Sequence, residues 1–155
     1  MATANNCNVP EELMYWVREH VWVRLEDDGT ITVGMTDAAQ HLGGSFVNAS
    51  PKTAGKKVKK GKSAGVAESG KWVGPIKSPV DGEIVAANEA IIKNPKLLNE
   101  DPYGEGWFVR VQPSDWDTDK ADLVTGAQAV ADYEVFLKEE GIDCAERAGG
   151  AQPGA

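Results

Sequence analysis

The sequence predicts a mainly β domain, a barrel or sandwich of short strands with short flanking helices and one C-terminal helix. Three observations predict it. Tyr-, Trp- and Val-rich runs recur every 8–12 residues or so. Turn signals stand between them, among them Asp27-Asp28-Gly29, Lys60-Gly61 and Asp81-Gly82. Ala127 to Glu140 is the one stretch with sustained helical spacing, carrying Val130, Tyr133, Phe136 and Leu137 on one side.

Taken in order, Met1 to Pro10 is polar and reads as a flexible tail. Leu13 to Leu25 has strand character, and Thr30-Ile31-Thr32-Val33 returns across the Asp27-Asp28-Gly29 turn. Asp37 is placed to cap a short helix, with Gln40 completing a capping box and Gly43-Gly44 ending it. Phe46 to Ala49 and Ser63 to Glu68 are strands, and the second leads into a tip at Gly70-Lys71. Pro75 in the run leading away implies a sheet edge, because proline cannot donate to a ladder. Glu83 to Ala87 is a strand. Asn88 caps a helix that Pro95 ends, and Trp107 to Val111 is the last strand. Pro113-Ser114-Asp115 opens the helical tail, which Gly141 closes. The expected organisation is a tail over 1–10, one domain over 11–141, and a disordered tail over 142–155.

With 155 residues, 41% hydrophobic and 26% charged, the chain suits a single globular domain. No apolar run approaches the roughly 20 residues of a membrane span, and the start lacks the pattern of a secretory signal, so the expected location is the cytoplasm. The net charge of -8 conceals an asymmetry. Lys52 to Lys77 holds eight lysines and one acid, a net +7, which leaves −15 on the remainder. One reading is a solvated strand edge. Another is a steering face around Lys71 for an acidic partner. A nucleic-acid role is not expected, since the acidic remainder opposes a polyanion.

Glu68-Ser69-Gly70-Lys71, followed by Ser78-Pro79-Val80-Asp81-Gly82, presents a lysine on a tight hairpin, a handle for a covalently attached cofactor. The run from Asn94 to Trp107 supports the same reading. Together these segments, within Leu13 to Glu140, resemble the lipoyl-carrying H proteins of the glycine cleavage system. That resemblance implies the barrel-sandwich hybrid fold of lipoyl domains. It also implies lipoate joined by an amide to Lys71, with Glu68, Ser69, Gly70 and Trp72 as recognition elements for the ligase or a partner. The implied protein is a carrier, a substrate of other enzymes and a monomer. It has no nucleophile elbow, P-loop or dinucleotide fingerprint of its own.

The run Lys71-Trp72-Val73-Gly74-Pro75 and the lysine-rich flank before it depart from the usual H-protein pattern. They resemble a second branch, the lipoate-binding proteins that serve a heterodisulfide-reductase-like complex in sulfur oxidation. The first expectation is therefore carriage of sulfur intermediates to that complex after lipoate attachment by a ligase. The alternative is carriage of an aminomethyl group between glycine decarboxylase and aminomethyltransferase. Other classes are an unlipoylated scaffold and an enzyme using its own cysteines. Cys7 and Cys144 read as unrelated thiols or as an auxiliary redox pair, not as a disulfide framework. No metal site is expected, because His20, His41 and the cysteines lack ligand spacing.

Overall fold

A computed structural model describes residues 2–146. The N-terminal residues form a hairpin, β1 (Thr3–Ala4) and β2 (Cys7–Asn8), with Asn5 and Asn6 at positive φ in the turn. Ala4, Cys7 and Val9 are buried. The expected flexible tail over 1–10 is thus replaced by packed structure: short polar residues make the turn, and the small apolar ones between them go inward.

Next come β3 (Met14–Trp16), a 3₁₀ turn (Val17–Glu19), β4 (Val21–Leu25) and β5 (Ile31–Met35). Helix α1 (Asp37–Gly43) is capped by Thr36, whose hydroxyl accepts from the Ala39 N–H, one residue before the expected cap. Asp37 instead accepts from Gln40 Nε2 at 2.7 Å. Then follow β6 (Phe46–Pro51), β7 (Lys57–Val58), β8 (Ser63–Ser69), β9 (Val73–Lys77) and β10 (Gly82–Ala87). Helices α2 (Glu89–Lys93) and α3 (Leu97–Glu100) precede β11 (Val109–Pro113), α4 (Trp116–Asp119), β12 (Val124–Thr125) and α5 (Gly126–Glu140). Asn88 caps α2 and Gly141, at φ 72, ends α5, both as expected.

The strands form a seven-stranded sheet, ordered β12-β3-β4-β5-β11-β10-β7, and a three-stranded sheet, β6-β8-β9. Pro75 lies on β9, an edge strand, where its missing N–H costs no ladder bond. The core is split by the period of the strand. Val21 and Val23 of β4 face the small sheet, packing with Phe46, Ala67, Ile76 and Phe108. Trp22, between them, points to the other side, where Tyr15, Ala129, Tyr133 and Leu137 cover it. Its indole donates to the Pro102 carbonyl at 2.9 Å, and a Cβ on Gly34 would lie 2.6 Å from its ring. The architecture is a barrel-sandwich body with α5 laid across one face.

Cys7 and Cys144 form a disulfide, with Cα atoms 4.9 Å apart across 137 residues of sequence. The expectation of separate thiols fails because chain ends distant in sequence meet in space. The hairpin carries Cys7 beneath the end of α5. The chain beyond α5 returns past it: the Ile142 N–H donates to Leu137 O, and the Cys144 N–H to Asn5 O. Ile142 is buried, so the tail expected over 142–155 begins as packed chain. Its remainder, 147–155, lies outside the described residues.

Candidate attachment site

The Lys71 tip is built by Ser69. Strands β8 and β9 pair as far as Glu68 opposite Val73. The Ser69 N–H then donates to Trp72 O at 2.7 Å, closing a four-residue turn. The Ser69 hydroxyl accepts from the Trp72 N–H at 3.1 Å and the Lys71 N–H at 3.3 Å. Ser69 is buried, and its place is inside the turn. Gly70 is exposed and is absent from the positive-φ glycines, and a Cβ there would meet nothing within 4 Å. Glu68 is exposed, 3.2 Å from Asn48 Nδ2.

Lys71 is exposed, and its alkyl stem crosses Gly44, the residue that ends α1. Gly44 has φ 81, and a Cβ there would come 2.8 Å from Lys71 Cε. Asn99 braces this platform. Its amide donates to Gly44 O at 2.6 Å and Gln40 Oε1 at 3.0 Å, while its oxygen accepts from the Phe46 N–H at 3.0 Å. Asn99 belongs to the segment that carried the resemblance; Gly44 ends α1 as the sequence predicts, and only these contacts show that the two seat the Lys71 stem. Trp72 stands edge-on to Phe46, with centroids 6.1 Å apart, and remains 41% exposed.

A groove of about 180 Å³ opens beside the tip, walled by His20, Val21, Met35, Leu42, Trp72 and Ile76. Its lining is mainly apolar. Glu19 also reaches it, but its carboxylate is paired with Lys77 at 3.0 Å. His20 has a left-handed backbone, φ 57, and its Nδ1 lies 2.6 Å from the Tyr133 hydroxyl. Burial against α5 lowers its pKa to about 4, and Glu19 pulls weakly the other way. The ring is therefore neutral at neutral pH.

The lysines do not form one face around Lys71. Lys56, Lys57 and Lys59 lie at the far end of β8, about 20 Å away over seven residues of strand. Lys57 is 3.6 Å from Glu83, and Lys60 is held by Asp122 at 2.6 Å. Linear proximity overstated the patch, because a strand carries its two ends apart. Among the described residues there is no group of three or more His, Cys, Asp or Glu placed to hold a metal ion. No described helix is long and apolar enough to cross a membrane.

An isolated amine on a rigid tip beside an apolar groove fits a neutral, amide-linked acyl arm. Amide formation removes the lysine charge, leaving a hydrocarbon chain for which water is the poorer environment.

The comparisons with known proteins agree with this geometry. The family model described as Glycine cleavage H-protein matches residues 14–139. "Glycine cleavage system H protein 2" of Aquifex aeolicus is 43% identical over 140 residues, covering 90% of this chain and 87% of that one. "Glycine cleavage system H protein 5" of the same organism is 43% identical over 148 residues, covering 93% and 99%. The crystal structure of a glycine cleavage system H protein from Mycobacterium marinum superposes with a TM-score of 0.70 at 29% identity, covering 86% of this chain and all of that one.

Proposed function

The chain belongs to the glycine cleavage H-protein family, and from that premise we propose that Lys71 is the lysine that bears its lipoyl group. Members of the family are carriers, not enzymes, with lipoate covalently attached to a lysine. The observation that carries the proposal is the tip itself: of the lysines near the attachment motif, Lys71 alone sits at a turn closed by Ser69 and braced through Gly44 by Asn99. A ligase that reads a rigid hairpin finds one lysine there. Glu68, Gly70 and Trp72 are exposed beside it and are the residues of the motif open to contact, whereas Ser69 acts by holding the turn.

When bound, the lipoyl group supplies a cyclic disulfide and, on reduction, two thiols. The chain's own residues do the rest. The tip fixes the origin of the arm. Trp72, packed on Phe46, forms one wall of the groove, and Val21, Met35, Leu42 and Ile76 keep that groove apolar. No general base is needed, and the neutral His20 is not placed as one.

Two cargoes are open. The names of the relatives support the aminomethyl group of glycine cleavage, with glycine decarboxylase and aminomethyltransferase as partners. The run from Glu68 to Pro75, which resembles the sulfur-oxidation branch, favours sulfur intermediates and a heterodisulfide-reductase-like complex. We place the carrier in the cytoplasm as a monomer.

Peptide mass spectrometry of the protein from its own cells is expected to show one lipoyl group, on Lys71. A lipoyl group on Lys62 or Lys77 would overturn the assignment. Presenting the lipoylated protein to each enzyme set decides the cargo: glycine decarboxylation supports the first, and a sulfur-dependent reaction the second.

A further inference from the structure

His20 carries a polar group that neither the fold nor the tip uses. Hydrogen-bond accounting fixes where its proton sits. Thr36 Oγ1 is buried, accepts from the Ala39 N–H at 3.2 Å, and lies 2.7 Å from the Tyr133 hydroxyl. That hydroxyl, also buried, is 2.6 Å from His20 Nδ1. Among the described residues, the Thr36 proton has one place to go, the Tyr133 oxygen. Tyr133 must then donate to His20 Nδ1. Reversing the chain would strand the Thr36 O–H in the core, at the cost of an unsatisfied buried donor. A neutral imidazole whose Nδ1 accepts carries its hydrogen on Nε2.

Nε2 has no hydrogen-bond partner among the described residues, and no buried side-chain nitrogen or oxygen lacks one, so this N–H reaches solvent. His20 is a wall residue of the groove beside Lys71. The charged neighbours are already engaged: Glu19 with Lys77 at 3.0 Å, and Arg18 over the Phe136 ring at 5.6 Å. An occupant of the groove therefore meets mainly apolar walls, the Glu19 carboxylate already paired with Lys77, and this one imidazole donor.

We propose that His20 Nε2–H is a specificity-determining contact for the cargo, holding a lipoyl-arm end that accepts hydrogen bonds and carries negative charge, such as an oxidised sulfur group. The proposal rests on the reading that Lys71 bears the arm. An ammonium end offers only donors, which His20 Nε2–H cannot accept, and Glu19, the carboxylate of the groove, is already paired with Lys77. A sulfonate-like end offers oxygens, and a hydrogen bond to a charged group is the stronger kind. The occupant is the chain's own arm, because the groove is continuous with the tip: Trp72 walls it, and Gly43 adjoins the Gly44 over which Lys71 lies.

The test uses lipoylated protein in which peptide mapping has first located the group on Lys71, so failure of that premise is seen separately. The arm is reduced under conditions in which peptide mapping finds the Cys7–Cys144 bridge intact, and its two thiolates are alkylated with 2-bromoethanesulfonate or with 2-bromoethylamine; each sulfur forms a C–S bond as bromide leaves. In ¹⁵N-labelled protein at neutral pH, the imidazole spectrum is expected to show His20 protonated on Nε2. The sulfonate-capped arm should shift the His20 Nε2 and Trp72 indole signals. It should favour the docked state about tenfold over the ammonium-capped arm, the worth of one hydrogen bond to a charged acceptor. His20→Phe should abolish that preference. Tyr133→Phe, which frees the ring to turn, should weaken it. A proton on Nδ1, equal shifts from both caps, a larger shift from the ammonium cap, or no shift from either would each overturn the proposal.

Discussion

The attachment hairpin and the terminal clasp are built on opposite principles. The hairpin is local: four consecutive residues, Ser69 to Trp72, make its turn, and Lys71 faces water. The clasp is non-local: Cys7 from the first hairpin meets Cys144 from beyond α5, with Tyr133 and Leu137 buried beneath. Chemistry sits where substitution costs little stability. Stability sits where no chemistry is offered. His20 is the residue that touches both, one edge on Tyr133 and the other at the groove.

Changing the clasp should have the largest effect on folding. Replacing Cys7 and Cys144 with Ser is expected to lose about 3–5 kcal/mol, since the bridge closes nearly the whole chain. Thermal unfolding should fall by about 10 °C, and reductant should do the same to the unsubstituted protein. A change below about 0.5 kcal/mol, the ordinary size of a surface substitution, would return the cysteines to the separate thiols read from the sequence.

Tyr133→Phe should cost about 1–3 kcal/mol in denaturant unfolding, because it leaves the buried Thr36 hydroxyl without its acceptor. Gly44→Ala should cost about 1–2 kcal/mol, since its backbone is one that glycine adopts easily. It should also slow lipoylation by displacing the Lys71 stem, read as the time course of the mass shift.

A smaller effect follows from pH. The folded pKa of His20, about 4, lies below its unfolded value, so the unfolded chain binds the extra proton. His20 contributes no pH dependence above roughly pH 6.5, and stability falls as pH drops from there to about 4. Allowing for the partly open ring, the loss is about 1–2 kcal/mol. The difference between the pH–stability curves of the protein and its His20→Gln variant should show it; parallel curves would refute it. The smallest stability effect belongs to Lys71→Arg, within about 0.5 kcal/mol, while lipoylation vanishes. Equal stability losses from Lys71→Arg and the cysteine pair would erase the contrast between the two regions.

What could be read from the sequence follows the same division. Asn88, Gly141 and Pro75 were legible because caps and edges depend on residues a few positions away. The Lys71 tip was legible for the same reason. The clasp was not, because nothing near Cys7 names Cys144 as its neighbour. The turn-holding bonds of Ser69 were not legible, because a motif names residues without saying which face inward. The lysine run misled because charge was counted along the chain, while β8 separates Lys59 from Lys71 in space. The His20 donor could be found only after Tyr133 and Thr36, distant in sequence, were seen in one hydrogen-bonded row.

The bridge between residues 7 and 144 also makes the chain a closed ring. A protease that nicks an exposed turn, such as Thr53 to Gly55, leaves both pieces joined. Loss of a fragment takes two events, a cut and a reduction. A worn carrier therefore persists as one covalent object, and its disposal answers to the redox state of its surroundings as well as to the protease.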